Sequence, residues 1–187
     1  MGSIVAQSGD VDQCGKRLEG PVQLDNPFWR FSLAVHGAPG VDDECLTLQD
    51  AHGIDIDVLL FCVWVGSRGI LLTAESMAAI ETLVQPWRDT AIRPLRAARR
   101  GIKTLPQMAD ADVAALRKDV AALELRAEQI EHAMLYAMAA TLGPTTTVAP
   151  LEAMRCNVSA LGRGRGVPGL DAPRLIEAAL KLSFGVG

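Results

Sequence analysis

The stretch VLLFCVWVG, residues 58–66, runs for nine positions without a charge, and no other feature restricts the fold as much. A helix that is apolar on every face is buried on every face, so the rest of the chain must cover this one all round. The run falls short of the roughly 20 residues that a membrane-crossing helix needs, and Ser67, Arg68 and Gly69 interrupt any extension of it. It therefore reads as the central helix of a domain. Gly53 is a natural stop for the helix before it. Asp55 or Asp57 is placed to cap its first turn by accepting an otherwise unpaired backbone N–H.

The composition agrees with a helical fold. Hydrophobic residues make up 49% of the 187 positions and charged residues 21%, far from the polar, highly charged sequences that stay disordered. Eight aromatics and many alanines favour packed helices over strands, which lean on β-branched and aromatic side chains. The expected class is all-α, with five or six helices around residues 58–66. The expected organisation is a flexible arm over 1–24, a helical domain over 25–142, and a loosely structured tail over 143–187 with one short helix at 173–182. The tail reading rests on "GPTTTVAP" and "LGRGRGVPGLDAP", which are dense in Gly and Pro.

Within the domain, Asn26 and Pro27 open a first helix that Gly37 closes. Asp42 is placed to cap a second helix, and Thr73 a fourth. A fifth segment, PWRDTAIRPLRAARRGIK, sets Trp87, Ala91, Leu95, Ala98 and Ile102 on one side and most of its arginines on the other. Residues 112–141 carry Val113, Leu116, Val120, Leu123, Ala127, Ile130, Met134 and Ala137 in alternating steps of three and four. That heptad seam asks for a partner helix, in this chain or in a second copy.

Candidate chemistry is sparse. Asp50, Asp55 and Asp57 are of the type that holds Mg²⁺ or Ca²⁺, but capping accounts for residues of this kind in a helix-turn-helix, and no metal site is expected. Glu124, Glu128, Glu131 and His132 share neighbouring turns without the Glu-x-x-His pattern of di-iron bundles, and they read as a solvated face. Arg88, Arg93, Arg96, Arg99, Arg100 and Lys103 form the densest charge cluster. Arginine forks suit phosphate or carboxylate, while pairing with acids on a neighbouring helix is the plainer account. A net charge of −4 gives no long-range pull toward nucleic acid. Four scattered cysteines, with no C-x-x-C, fit reduced thiols in the cytoplasm.

The blocks NPFWRFSL, PGV followed by CLTLQD, GIDIDVLLFCVW and the later PLRAARRGIK resemble an uncharacterised bacterial family carried under a domain of unknown function, common in proteobacteria. The likeness covers roughly residues 26–140. It implies a small cytoplasmic helical protein without an assigned activity, and it favours Asn at the place of Asp57 and Tyr at that of His36.

The preferred reading is a non-enzymatic protein that binds a partner or itself through Leu116, Val120, Leu123, Ile130 and Met134 of the long helix, without cofactor, membrane or nucleic acid. The alternative is a small-molecule-binding protein or enzyme in which Asp50, Trp64, Arg88 and Arg96 line a pocket for an anion.

Overall fold

The computed structural model describes residues 23–142 and 148–184, the side chain of Phe184 excepted. Among the described residues there is no strand, and the chain forms eight α-helices, more than the five or six expected. No helix there is long and apolar enough to cross a membrane. Most of the arm expected over 1–24 lies outside the described residues.

Helix α1 spans Pro27–His36 and begins as its sequence indicates: the Trp29 N–H donates to Asn26 Oδ1 at 2.9 Å. Phe28, Phe31, Ser32 and Val35 are its buried face. Helix α2, Val41–His52, starts from Gly40 in the left-handed region and has no side-chain cap. Asp42 is thus a first-turn residue and not the cap. The acid that does capping work in this turn is Glu44, whose carboxylate accepts from Arg174 N–H at 3.1 Å and Leu175 N–H at 2.9 Å at the start of another helix.

Gly53 ends α2, and Asp55 caps α3, Ile56–Ser67, by accepting from Val58 N–H at 3.1 Å. Asp57 is free for another role. Every residue from Val58 to Gly66 is buried, Trp64 included. Helix α4 runs from Ala74 to Trp87 and is capped by Thr73. A π turn over Arg88–Ile92, closed by the Arg93 N–H donating to Arg88 C=O, joins it end to end with α5, Arg93–Lys103. Pro94 follows directly, and its missing N–H removes one regular helical bond from this joint. Helix α6, Ala111–Ala139, then returns antiparallel to α4 and α5.

Within the tail expected to be loose over 143–187, the described residues 148–184 carry two helices. Helices α7, Pro150–Gly164, and α8, Pro173–Phe184, both pack on α3. Ala153, Met154, Asn157, Val158 and Leu161 of α7 are buried. Contact with α3 is close: a Cβ at Gly66 would meet the Met154 Cα at 2.6 Å. Asn157 locks this layer to the following loop, donating to Cys62 C=O and Ile70 C=O at 3.1 and 2.9 Å and accepting from Leu72 N–H at 2.8 Å. α1, α6, α7 and α8 thus supply the cover that the apolar run demands.

Candidate functional site

The side of α6 that faces the domain is not centred on the apolar seam, of which Ala127 alone is buried. Glu124, Ala127, Glu131, His132 and Leu135 are buried, while Leu116 and Leu123 are 54% and 58% exposed. Val120, Ile130 and Met134 are half-buried. The acids expected to form a solvated face therefore point inward, and the reason stands opposite them. Arginines spaced along the π turn and α5 require counter-charges, and Glu124, Glu128 and Glu131 supply them at matching helical intervals.

Arg88 is the deepest of these cations, 5% exposed. Its Nε lies 2.6 Å from Asp55 Oδ2, Nη1 3.6 Å from Glu81 Oε2 and Nη2 3.5 Å from Glu131 Oε1. Neither Nε nor Nη2 is in hydrogen-bond geometry, so these contacts are ionic. Glu81 is shared with Arg165 of the loop after α7, at 2.6 Å. Farther along, Arg96 donates to Glu124 at 3.1 Å and to Glu128 at 2.7 Å, and Arg99 pairs with Glu124 through both Nε and Nη2. Burial works against ionisation of Glu124, but the hydrogen bonds from Arg99 and Arg96 outweigh it and hold its carboxyl below the usual value.

Glu131 is fully buried and neither of its oxygens has a hydrogen-bond partner. Burial, reinforced by the charge of Asp55, pushes its carboxyl up to about 8 despite the pull of Arg88. Asp57, on the first turn of α3, is likewise raised well above the ordinary carboxylate range, by burial first and then by Asp55, Glu131 and Glu128. One oxygen from each of Asp55, Asp57 and Glu131 lies within 4.8 Å of the other two. A carboxyl held near neutrality, as that of Glu131 is, is suited to giving or taking a proton at neutral pH.

His132 closes the cluster on its apolar side. Its ring stacks on Phe28 at 4.6 Å and meets the edge of Trp29 at 5.1 Å. Nδ1 sits 2.9 Å from the Glu128 carbonyl, which can only accept, so the proton of the neutral ring is on Nδ1 and Nε2 faces Ser32 Oγ at 3.1 Å. Asp57 Oδ1 is 3.8 Å from Nδ1.

Two clefts open on either side of Asp55. One, about 340 Å³, is lined by Asp55, Asp57, Arg96, Arg100, Leu125 and Glu128 among others. The other, about 310 Å³, has Arg88, Arg93, Arg96, Arg100 and Arg165 around Asp50 and Asp55. A larger cleft, about 500 Å³ between α4 and α7, is mostly apolar and holds only the fringe of the cluster, Glu81 and Arg165. Of the four residues expected to share a pocket, Asp50, Arg88 and Arg96 line one cleft. Trp64 does not; it packs among Phe28, Phe61 and Tyr136, with Arg68 stacked on its face at 4.9 Å. No local pattern marks Glu81 at all, and none distinguishes Glu131 from a residue of a solvated face. Their signal is cross-helix, in the match between arginine and glutamate intervals.

The His132 environment has a pH consequence. Burial lowers its pKa to about 4, against about 6.5 for a histidine in water. Between these values the unfolded chain binds the proton more readily than the folded one. The contribution of neutral His132 is therefore intact above about 6.5 and is lost as the pH falls toward 4, amounting to about 3 kcal/mol. An NMR titration of the imidazole should show His132 neutral down to near pH 4. A midpoint close to that of a solvated histidine would contradict its placement against Phe28.

No curated protein and no solved structure matches the chain. The model of a family described as a protein of unknown function, DUF2390, matches residues 27–135, the span from the first turn of α1 to Leu135 on the inward face of α6. That span contains Asp55, Asp57, Glu81, Arg88, Arg96 and Glu131, and since it is more than half of the chain, the protein belongs to the DUF2390 family.

Proposed function

We propose that the domain binds an anionic small molecule of the phosphate or carboxylate class in the cleft beside Asp55. The observation that carries this reading is the convergence of Arg88, Arg93, Arg96, Arg100 and Arg165 on one cavity of about 310 Å³. Guanidinium forks match phosphate and carboxylate oxygens in pairs, and the volume lies at the lower end of that of small-molecule sites. Arg88 and Arg96 are held by acids and form the floor and wall. Arg100 is exposed and lines both clefts, so it is free to turn toward a ligand. A cytoplasmic setting is part of the proposal and is supported by Cys45, Cys62 and Cys156 as free thiols.

Calorimetric titration with inorganic phosphate and pyrophosphate, in buffer containing a chelator, tests this reading. Binding to the parent should weaken with salt, and Arg100→Ala should lose about tenfold or more in affinity, the size of one charge-assisted hydrogen bond. Because Arg100 is exposed, the variant keeps its fold. Absence of heat with both anions, or equal affinity in the variant, rejects the proposal.

A second reading, self-association along α6, is favoured by a separate observation. The α5–α6 hairpin leaves Leu105, Leu116 and Leu123 about half exposed, and α5 has no buried residue. Large apolar side chains left exposed on one hairpin are the material of an association site. Sedimentation should then show a dimer that Leu123→Asp converts to folded monomers; a monomeric parent at high concentration refutes it.

A further inference from the structure

We propose that Asp55, Asp57 and Glu131 form a site for a hard divalent cation, Mg²⁺ or Mn²⁺, bound through one carboxylate oxygen from each. This goes beyond the anion reading and does not depend on it.

Geometry comes first. The three oxygens, two from the start of α3 and one from the middle of α6, lie within 4.8 Å of one another. An ion at their centre is at most about 2.8 Å from each, so a shift of well under 1 Å brings all three to the distance of about 2.1 Å that such a cation requires. All-oxygen ligation with remaining positions for water is the arrangement that Mg²⁺ and Mn²⁺ select.

Glu131 supplies a second, independent observation. It is completely buried, both of its oxygens lack a hydrogen-bond partner, and the Arg88 Nη2 beside it at 3.5 Å is not aligned to donate. Buried polar atoms in folded proteins are almost always satisfied, and the ionic contact with Arg88 leaves both Glu131 oxygens without a hydrogen bond, which is costly for a buried carboxylate. A cation between Glu131 and the two aspartates satisfies it.

The charge balance agrees. Arg165 offsets Glu81, and Arg96 with Arg99 offsets Glu124 and Glu128. Once Asp57 and Glu131 give up their protons, as ligation requires, three carboxylates face the single charge of Arg88, and the surplus of two negative charges is what a divalent ion neutralises. Asp55 and Asp57 also line the cleft of about 340 Å³, which gives the ion a route from solvent and leaves its outer positions open to water.

The experiment is Mn²⁺ binding to the full chain, read by the loss of the free-ion electron paramagnetic resonance signal in buffer without phosphate. The parent should bind one Mn²⁺, Mg²⁺ should displace it, and Asp57→Asn and Glu131→Gln should each weaken binding about tenfold or more. Asp119→Asn, which changes an exposed carboxylate of α6 outside the clefts, should bind as the parent does. Circular dichroism establishes that each variant is folded. If one of them is not, the parent alone decides, through its stoichiometry and a rise in its unfolding temperature with Mn²⁺. A folded parent that leaves Mn²⁺ free at about 1 mM, or an Asp119→Asn variant as weak as Asp57→Asn, overturns the site and leaves the cluster a network of ion pairs. Since no anion is present, failure of the anion cleft does not change this result.

Discussion

A guanidinium withdrawn almost completely from water is the contact on which the charged side of the domain depends. Arg88 meets Asp55 at the cap of α3, Glu81 on α4 and Glu131 on α6, so one side chain ties α4 and α6 to the end of the apolar core helix. Removing an ion this far from solvent costs several kcal/mol, and only close counter-charges return it. The helices that carry those charges therefore cannot rotate independently. The inward face of α6 follows: Glu131 must reach Arg88, Glu124 and Glu128 then fall opposite Arg96 and Arg99, and Leu116 and Leu123 are turned outward. The π turn belongs to the same constraint, since it sets the phase between Arg88 at the end of α4 and Arg96 on α5.

The apolar half of this architecture was legible in the sequence because its signals are local. A run without a polar face has one solution, and Asn26, Asp55, Thr73 and Gly53 announce helix ends within three or four residues of where they act. Helix α7 was not legible. Its apolar residues Met154, Val158 and Leu161 keep helical spacing, but Gly162, Gly164, Gly166 and Gly169 crowd its end, and one of them serves packing: a Cβ at Gly162 would meet Leu170 at 2.4 Å. Glycine selected for close approach reads like glycine in a linker.

The site was hidden for a different reason. Two stripes on α6 have the same period, and hydrophobicity alone picks the one through Leu116 and Leu123. The stripe through Glu124, Glu128 and Glu131 is chosen by what lies on α4 and α5, 25 or more residues away in the chain. Asp57 has the same character. Judged from its neighbours it is a spare cap, yet the cap is Asp55, and Asp57 faces His132 and the carboxylates of α6. A surplus of buried acid beside a cleft rich in arginine is a costly arrangement for stability alone, which is why it carries the functional reading.

The central claim, that Arg88 and Glu131 are held together by mutual need inside the domain, is tested most directly by a double-mutant cycle. Urea unfolding of the parent, Arg88→Met, Glu131→Gln and the double variant should be measured at about pH 9, above the value of about 8 at which Glu131 ionises. Arg88→Met alone should cost about 3 to 5 kcal/mol, because it strands buried carboxylates. The double variant should recover part of that loss, with a coupling of about 1 to 3 kcal/mol. Small losses in both single variants that simply add in the double would mean that the pair is incidental, and the account of how α6 is oriented would fail with it.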